Sequence, residues 1–297
     1  MFRMIIFVSL LFSTTISAKG LMSKGIIDRE IKQFGLNHVC STVPNTQATY
    51  CITRTQGSTN PDVIYYFHCL FGDENNWLII PQFHYIRQRW VEQNYMPPTV
   101  VTISYGPSWL VAPKGESEKS GLYEEIQNTI FPYLEKNKLN STSKVPGKKI
   151  LLGLSLGGPN SLEFFLHSPQ KYAKVGLLCP ALSNISPYAS DDEVWDYIDR
   201  TGADPAHVMM ALSIARDYFS PQDWEKNSPL KLATRSLPRG GAELLVFAGK
   251  SDSFGFYEGP LNFYNQARMS GGNATFLDND AGHCFFPIAE VADFLSR

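Results

Sequence analysis

Apolar positions in this chain fall into short unbroken runs separated by stretches of helical spacing. The runs at Asp62 to Phe67, Thr99 to Ser104, Ile150 to Leu152, Ala173 to Cys179, Ala242 to Ala248 and Ala274 to Leu277 are each short and almost wholly apolar. Runs of this kind suit strands buried on both faces of a parallel sheet. Between them, Trp77 to Asn94, Leu122 to Asn137, Asn160 to His167, Gly259 to Met269 and Ile288 to Leu295 read as helices. In the second, Tyr123, Ile126, Ile130, Tyr133 and Leu134 recur at helical spacing, and Pro132 predicts a kink. Strand alternating with helix predicts an α/β fold, a mainly parallel central sheet flanked by helices.

Two regions depart from that rhythm. Ahead of the first buried run, residues 19–35 predict a short helix or ordered arm, with Ile26, Ile27 and Ile31 on one face. Val39 to Thr55 then predicts a β-hairpin turning at Val43-Pro44-Asn45-Thr46. Later, residues 182–238 interrupt the alternation with an acidic cluster at Asp191 to Glu193, several prolines and a helical stretch from His207 to Tyr218. This predicts a partly helical insertion over the upper edge of the sheet, too long for a simple connection.

The first 18 residues are different again. Arg3 gives a positive start, Met4 to Phe12 is almost wholly apolar, and Ser13 to Ala18 is small and polar. This reads as a signal peptide over residues 1–18, leaving 19–297 as a single domain. The alternative, an uncleaved anchor, is disfavoured because its apolar core falls short of the roughly 20 residues that span a bilayer. The expected product is secreted or periplasmic, without stable membrane insertion after cleavage. A net charge of −2 over 297 residues and the absence of a basic run argue against nucleic acid as a partner.

Chemistry is concentrated at Gly153-Leu154-Ser155-Leu156-Gly157. An apolar run precedes this Gly-x-Ser-x-Gly and a helical stretch follows it, the context of a nucleophile elbow. A serine hydroxyl is a weak nucleophile, so it needs a base, and the base needs an acid to hold and stabilise its charged form. His283 follows the last predicted strand, where open α/β sheets place their sites. Asp252 follows the strand before it, and is preferred to Asp278 and Asp280 because an acid from the adjacent strand end approaches the far imidazole nitrogen better. The developing oxyanion needs two backbone N–H groups. Leu156, just after the serine, supplies one and Leu70, in the loop after the Tyr65 strand, the other. Five aromatic residues in or beside these loops, Phe71, Trp109, Trp195, Phe254 and Phe285, predict a pocket for an acyl chain or an aromatic acid, whereas Trp77 reads as core.

Tyr65 to Trp77, Gly153 to Gly158, Gly249 to Asp252 and Gly282-His283 together resemble the putative esterase family of α/β-hydrolases. That family includes esterase D (S-formylglutathione hydrolase), feruloyl and acetyl-xylan esterases, and the mycobacterial mycolyltransferases. The resemblance implies the α/β-hydrolase fold, Ser155, Asp252 and His283 as the triad, and Leu70 and Leu156 as oxyanion donors. The chain departs from the pattern at Cys69, where relatives usually carry glycine, a residue with freer backbone angles.

Of five cysteines, Cys40 and Cys51 flank the hairpin turn and are expected to pair in an oxidising compartment. Cys69, Cys179 and Cys284 cannot all pair; Cys69 is either a buried thiol or bonded to one of the other two. No Cys-x-x-Cys spacing suggests a metal, and the chemistry requires no metal or organic cofactor. The expected activity is a secreted serine carboxylesterase working through an acyl-enzyme on a small-molecule, glycan or lipid ester. An acyltransferase using the same triad and a non-catalytic binding protein on a hydrolase scaffold are the alternatives. A peptidase is disfavoured.

Overall fold

The computed structural model describes residues 23–139, 147–237 and 241–297; the expected signal peptide over residues 1–18 lies outside them. An eight-stranded sheet runs in the order β1-β2-β4-β3-β5-β6-β7-β8. The strands are β1 (Leu36–Thr42), β2 (Thr49–Thr55), β3 (Val63–Phe67), β4 (Thr99–Ser104), β5 (Lys149–Leu154), β6 (Lys174–Leu178), β7 (Glu243–Gly249) and β8 (Asn273–Asn279). The expected hairpin is β1 with β2, and β2 also runs antiparallel to β4. From β3 to β8 all pairings are parallel. This is the α/β-hydrolase fold.

Helices connect and cover the strands: α1 (residues 23–34), α2 (Asn76–Ile79), α3 (Pro81–Glu92), α4 (Leu122–Glu125), α5 (Phe131–Leu134), α6 (Gly157–His167), α7 (Asp191–Thr201), α8 (Pro205–Tyr218), α9 (Pro221–Asn227), α10 (Pro229–Ser236), α11 (Glu258–Met269) and α12 (Ile288–Ser296). Because side chains alternate across a strand, β3 feeds two cores at once. Val63, Tyr65 and Phe67 join one with Phe131 and Phe164. Ile64 and Tyr66 join the other with Trp77, Phe83, Trp90 and Phe294. Trp77 is therefore core, as expected. The region around residue 30 is tied to the second layer by a buried Glu30 carboxylate, which accepts from Arg87 at 2.5 Å and contacts His84 at 2.8 Å.

Proline explains where the helices differ from the simple pattern. The stretch Trp77 to Asn94 divides because Pro81 opens α3, where its missing N–H is not needed. The kink expected at Pro132 takes the form of π-helical turns at Ile126–Ile130 and Glu135–Leu139 on either side of α5. Pro132 cannot close the α-helical bond to Asn128, and the wider turn ahead of it absorbs the mismatch.

Residues 182–237 are more helical than expected, with α7 to α10 in succession. The prolines there start helices rather than break them: Pro205, Pro221 and Pro229 each open one. Asp204 and Ser220 cap two of these, and Ser190 with Glu193 forms a capping box on α7. Val194, Tyr197 and Ile198 of α7 pack with Val208 and Leu212 of α8 in a small cluster of their own. By contrast α10 packs on α6 and α11, serving as the helix of the β6-to-β7 crossover.

Candidate active site

The turn between β5 and α6 places Ser155 in the left-handed region, with φ +54°. Such an angle is strained for a residue with a Cβ and persists only where neighbours hold it. Here the Ser155 N–H donates to Leu178 O at 2.9 Å, and its carbonyl accepts from Gly158 and Ala181, each at 2.9 Å. The chain folds so tightly that a Cβ on Gly157 would sit 2.0 Å from the Phe67 carbonyl oxygen, and one on Gly153 would sit 2.2 Å from that of Gly157. Both contacts are to backbone, which has no flexible end to move aside. We expect Gly157→Ala to displace the elbow, lowering both soluble yield and melting temperature; an unchanged melting curve and activity would contradict this close packing.

Three side chains from three strand ends converge. The Ser155 hydroxyl lies 2.7 Å from His283 Nε2 and donates to it. On the other side of the ring, His283 Nδ1–H donates to Asp252 Oδ2 at 2.6 Å. Asp252 is 3% exposed, and its second oxygen accepts from the Phe254 N–H at 2.8 Å. The two loops that carry them are joined by Lys250 N–H to Asn279 O and Ser251 N–H to Ala281 O. Asp278 instead accepts from the Tyr257 hydroxyl at 2.7 Å, and exposed Asp280 pairs with Lys250 at 3.4 Å. Neither of them is bonded to His283.

Leu70 and Leu156 both border the space beside Ser155. Among the described residues neither N–H has an internal acceptor. The direction of the Leu70 N–H is set by a residue whose role the sequence reading left unassigned, His68. Its Nε2 receives the Trp109 indole N–H at 3.0 Å and lies 2.9 Å from Ser104 Oγ. An indole only donates, so Nε2 is the acceptor and Nδ1 carries the proton. Nδ1–H then donates to the Cys69 carbonyl at 2.8 Å, and the Gly72 N–H donates to the same oxygen at 3.0 Å. A planar trans peptide points its N–H opposite to its carbonyl, so these bonds orient the Leu70 N–H. Burial pushes the His68 pKa down, which favours this neutral form. The sequence signal for it was the histidine directly after the aromatic strand.

Cys69 takes the place of the usual glycine without strain, because the left-handed residue of the loop is Phe71, with φ +61°. Cys69 remains a free thiol. Cys40 and Cys51 are disulfide-bonded, directly opposite each other on β1 and β2. The alternatives left open for the other three resolve as a second disulfide, Cys179 to Cys284, joining the end of β6 to the residue after His283.

The five predicted pocket aromatics separate. Phe71 and Phe254 border the cavities at Ser155, and the Phe254 ring lies 4.8 Å from that of His283. Trp109 is a correction: its loop turns inward, and the indole is buried as the support of His68. Trp195 and Phe285 are corrections too, since both project into solvent, 56% and 64% exposed, and line neither cavity. The cavity under the helices is walled largely by aliphatic residues, many of them from α8, together with Tyr197, Phe219, Trp224, Phe254 and Phe256.

A family model described as "Putative esterase" matches residues 43–271. No curated protein matches the chain in sequence. Among solved structures, a ferulic acid esterase superposes with a TM-score of 0.61 at 18% identity, covering 88% of this chain and 97% of that one. An esterase from Pyrobaculum calidifontis gives 0.61 at 16% identity, with 94% and 92% covered. A fungal esterase from Rhizomucor miehei gives 0.61 at 16%, with 94% and 89% covered.

Proposed function

This chain belongs to the putative esterase family and is a serine-type carboxylic ester hydrolase, and from that premise we propose that Ser155, His283 and Asp252 are its catalytic triad. The observation that carries the reading is the continuous hydrogen-bonded chain Ser155–His283–Asp252. His283 Nε2 takes the hydroxyl proton as Ser155 Oγ attacks the ester carbonyl carbon. The Leu70 and Leu156 N–H groups stabilise the resulting oxyanion. Collapse of the tetrahedral species breaks the bond to the alcohol oxygen, which leaves with the proton from His283. Water, deprotonated by the same imidazole, then releases the acid from the acyl-enzyme and restores Ser155. Asp252 holds the ring in the required tautomer and stabilises the imidazolium. The intact chain of bonds supports this reading over a non-catalytic scaffold.

The protein acts on this reading as a secreted or periplasmic enzyme on small-molecule, glycan or lipid esters. Two disulfides and the leader-like residues 1–18 support export. No described helix is long and apolar enough to cross a membrane. Treatment of the mature protein with a fluorophosphonate should modify the peptide carrying Ser155 stoichiometrically and abolish ester hydrolysis in parallel. Full hydrolysis with Ser155 modified, or modification of a different serine accompanying the loss, would rule out the assignment.

A further inference from the structure

Two cavities meet at Ser155 and differ in what surrounds them. The first, about 940 Å³ including its open mouth, lies under the helices of residues 182–237. Leu110 and Val111, from the loop after β4, face Val208, Leu212 and Ala215 of α8 across it. Its described walls carry no Asp, Glu, Lys, Arg or His. Besides Ser155 it has three hydroxyls: that of Tyr197 donates to the Gly255 carbonyl at 2.8 Å, that of Ser183 accepts from the Ile185 N–H at 3.2 Å, and that of Ser228 is buried just ahead of α10. The second cavity, about 710 Å³ including open solvent at its mouth, shares Leu70, Ser155 and Phe254 with the first and is lined besides by His283, His207 and Gln82, with Phe71, 74% exposed, at its border.

His283 borders only the second cavity. This decides the orientation of an ester, because the leaving alcohol must receive its proton from His283 Nε2 and so departs on that side. That leaves the acyl substituent the cavity under α8, which His283 does not border. A charged group there would lose its hydration without finding a partner, whereas each methylene leaves water for an apolar wall. We propose, resting on the triad assignment above, that the cavity under α8 is the acyl site, and that it takes an uncharged aliphatic acyl group longer than acetyl. The alcohol occupies the open His283 side.

The test is kcat/KM for p-nitrophenyl acetate, butanoate, hexanoate and octanoate, with methyl ferulate and methyl octanoate compared separately. Burial predicts a rise of up to about fourfold per methylene until the cavity is filled. Ala211→Phe, which narrows the cavity from α8, should lower the octanoate-to-acetate ratio at least tenfold, and Ile214→Ala should raise it. The same shifts should appear in kcat/KM for ethyl and benzyl esters of the same acids, whose alcohols differ while the acyl group stays the same. Stoichiometric fluorophosphonate modification of each variant establishes that its site is folded. A flat chain-length profile, ratios unmoved in both variants, changes confined to alcohol preference, or faster turnover of methyl ferulate than of methyl octanoate each overturns the acyl site while leaving the triad standing. Absence of hydrolysis with every ester, together with an unmodified Ser155, overturns the triad assignment and the acyl site with it.

Discussion

Asp252→Asn should lower kcat on a simple ester by about 10⁴-fold with little change in KM, the size of effect seen when a triad acid loses its charge without losing its shape. The reason lies in the second oxygen of Asp252, which accepts from the Phe254 N–H at 2.8 Å. In the amide, that N–H retains the single carbonyl oxygen. The NH₂ group then faces His283 Nδ1 at the position where Oδ2 now accepts at 2.6 Å. A donor there forces the imidazole proton onto Nε2, the nitrogen that must be free to accept from Ser155. The ring stays in place but in the wrong tautomer. Ser155→Ala should cost about 10⁶-fold, since nothing then attacks the carbonyl. Asp278→Asn and Asp280→Asn serve as controls and should stay within a few-fold of wild type, because their partners are Tyr257 and Lys250. Steady-state kinetics on one short ester compares all four; an Asp252→Asn enzyme within tenfold of wild type would remove Asp252 from the triad.

The other large effect is expected at the disulfide beside the base. Cys179 and Cys284 close a span of 105 residues in sequence, whereas Cys40 and Cys51 close 11. On the chain-entropy estimate the longer closure stabilises by about 4.7 kcal/mol and the shorter by about 3 kcal/mol. The longer bridge also anchors the loop of His283. Without it, the loop is held by the bonds of His283 to Ser155 and Asp252, by Ser251 N–H donating to the Ala281 carbonyl, by Gln82 donating to the Cys284 carbonyl and by Asn279 donating to that of Phe285. Replacing both Cys179 and Cys284 by alanine should therefore lower the melting temperature by about 10 °C or more and reduce kcat, with KM less affected. The Cys40/Cys51 double alanine variant should lose stability alone. Calorimetry and kinetics on the two variants separate the effects, and equal kcat in both would show that the bridge does not position the base.

Much of the site could be read from the chain because each part rests on local chemistry. Gly153 and Gly157 are small where backbone meets backbone, and Ser155 lies between a buried run and a helix. Asp252 and His283 each follow such a run. In a parallel sheet the C-terminal ends of the strands share one edge, so residues just after successive strands come close in space whatever their separation in sequence. That rule favoured Asp252 over the two aspartates nearer His283 in sequence, and it is Asp252 that accepts from His283 Nδ1. The pocket was far less legible. Aromatic residues in loops were expected to face the serine, yet Trp109 supports His68 from within the core while Trp195 and Phe285 face solvent. The inward or outward turn of a loop side chain depends on what packs above and below it, and no periodicity records that.

The sequence by itself determined the strands, the elbow, the placement of Asp252 and His283 just after successive strands, and the hairpin disulfide. Each follows from short-range pattern or from the one long-range rule that parallel strands align their ends. Tertiary structure alone decided the His68 tautomer that orients Leu70, the partnership of Cys179 with Cys284, and the uncharged, largely apolar cavity beneath α8. These depend on contacts between segments far apart in sequence, whose relative placement is known only once both cores have closed around the sheet.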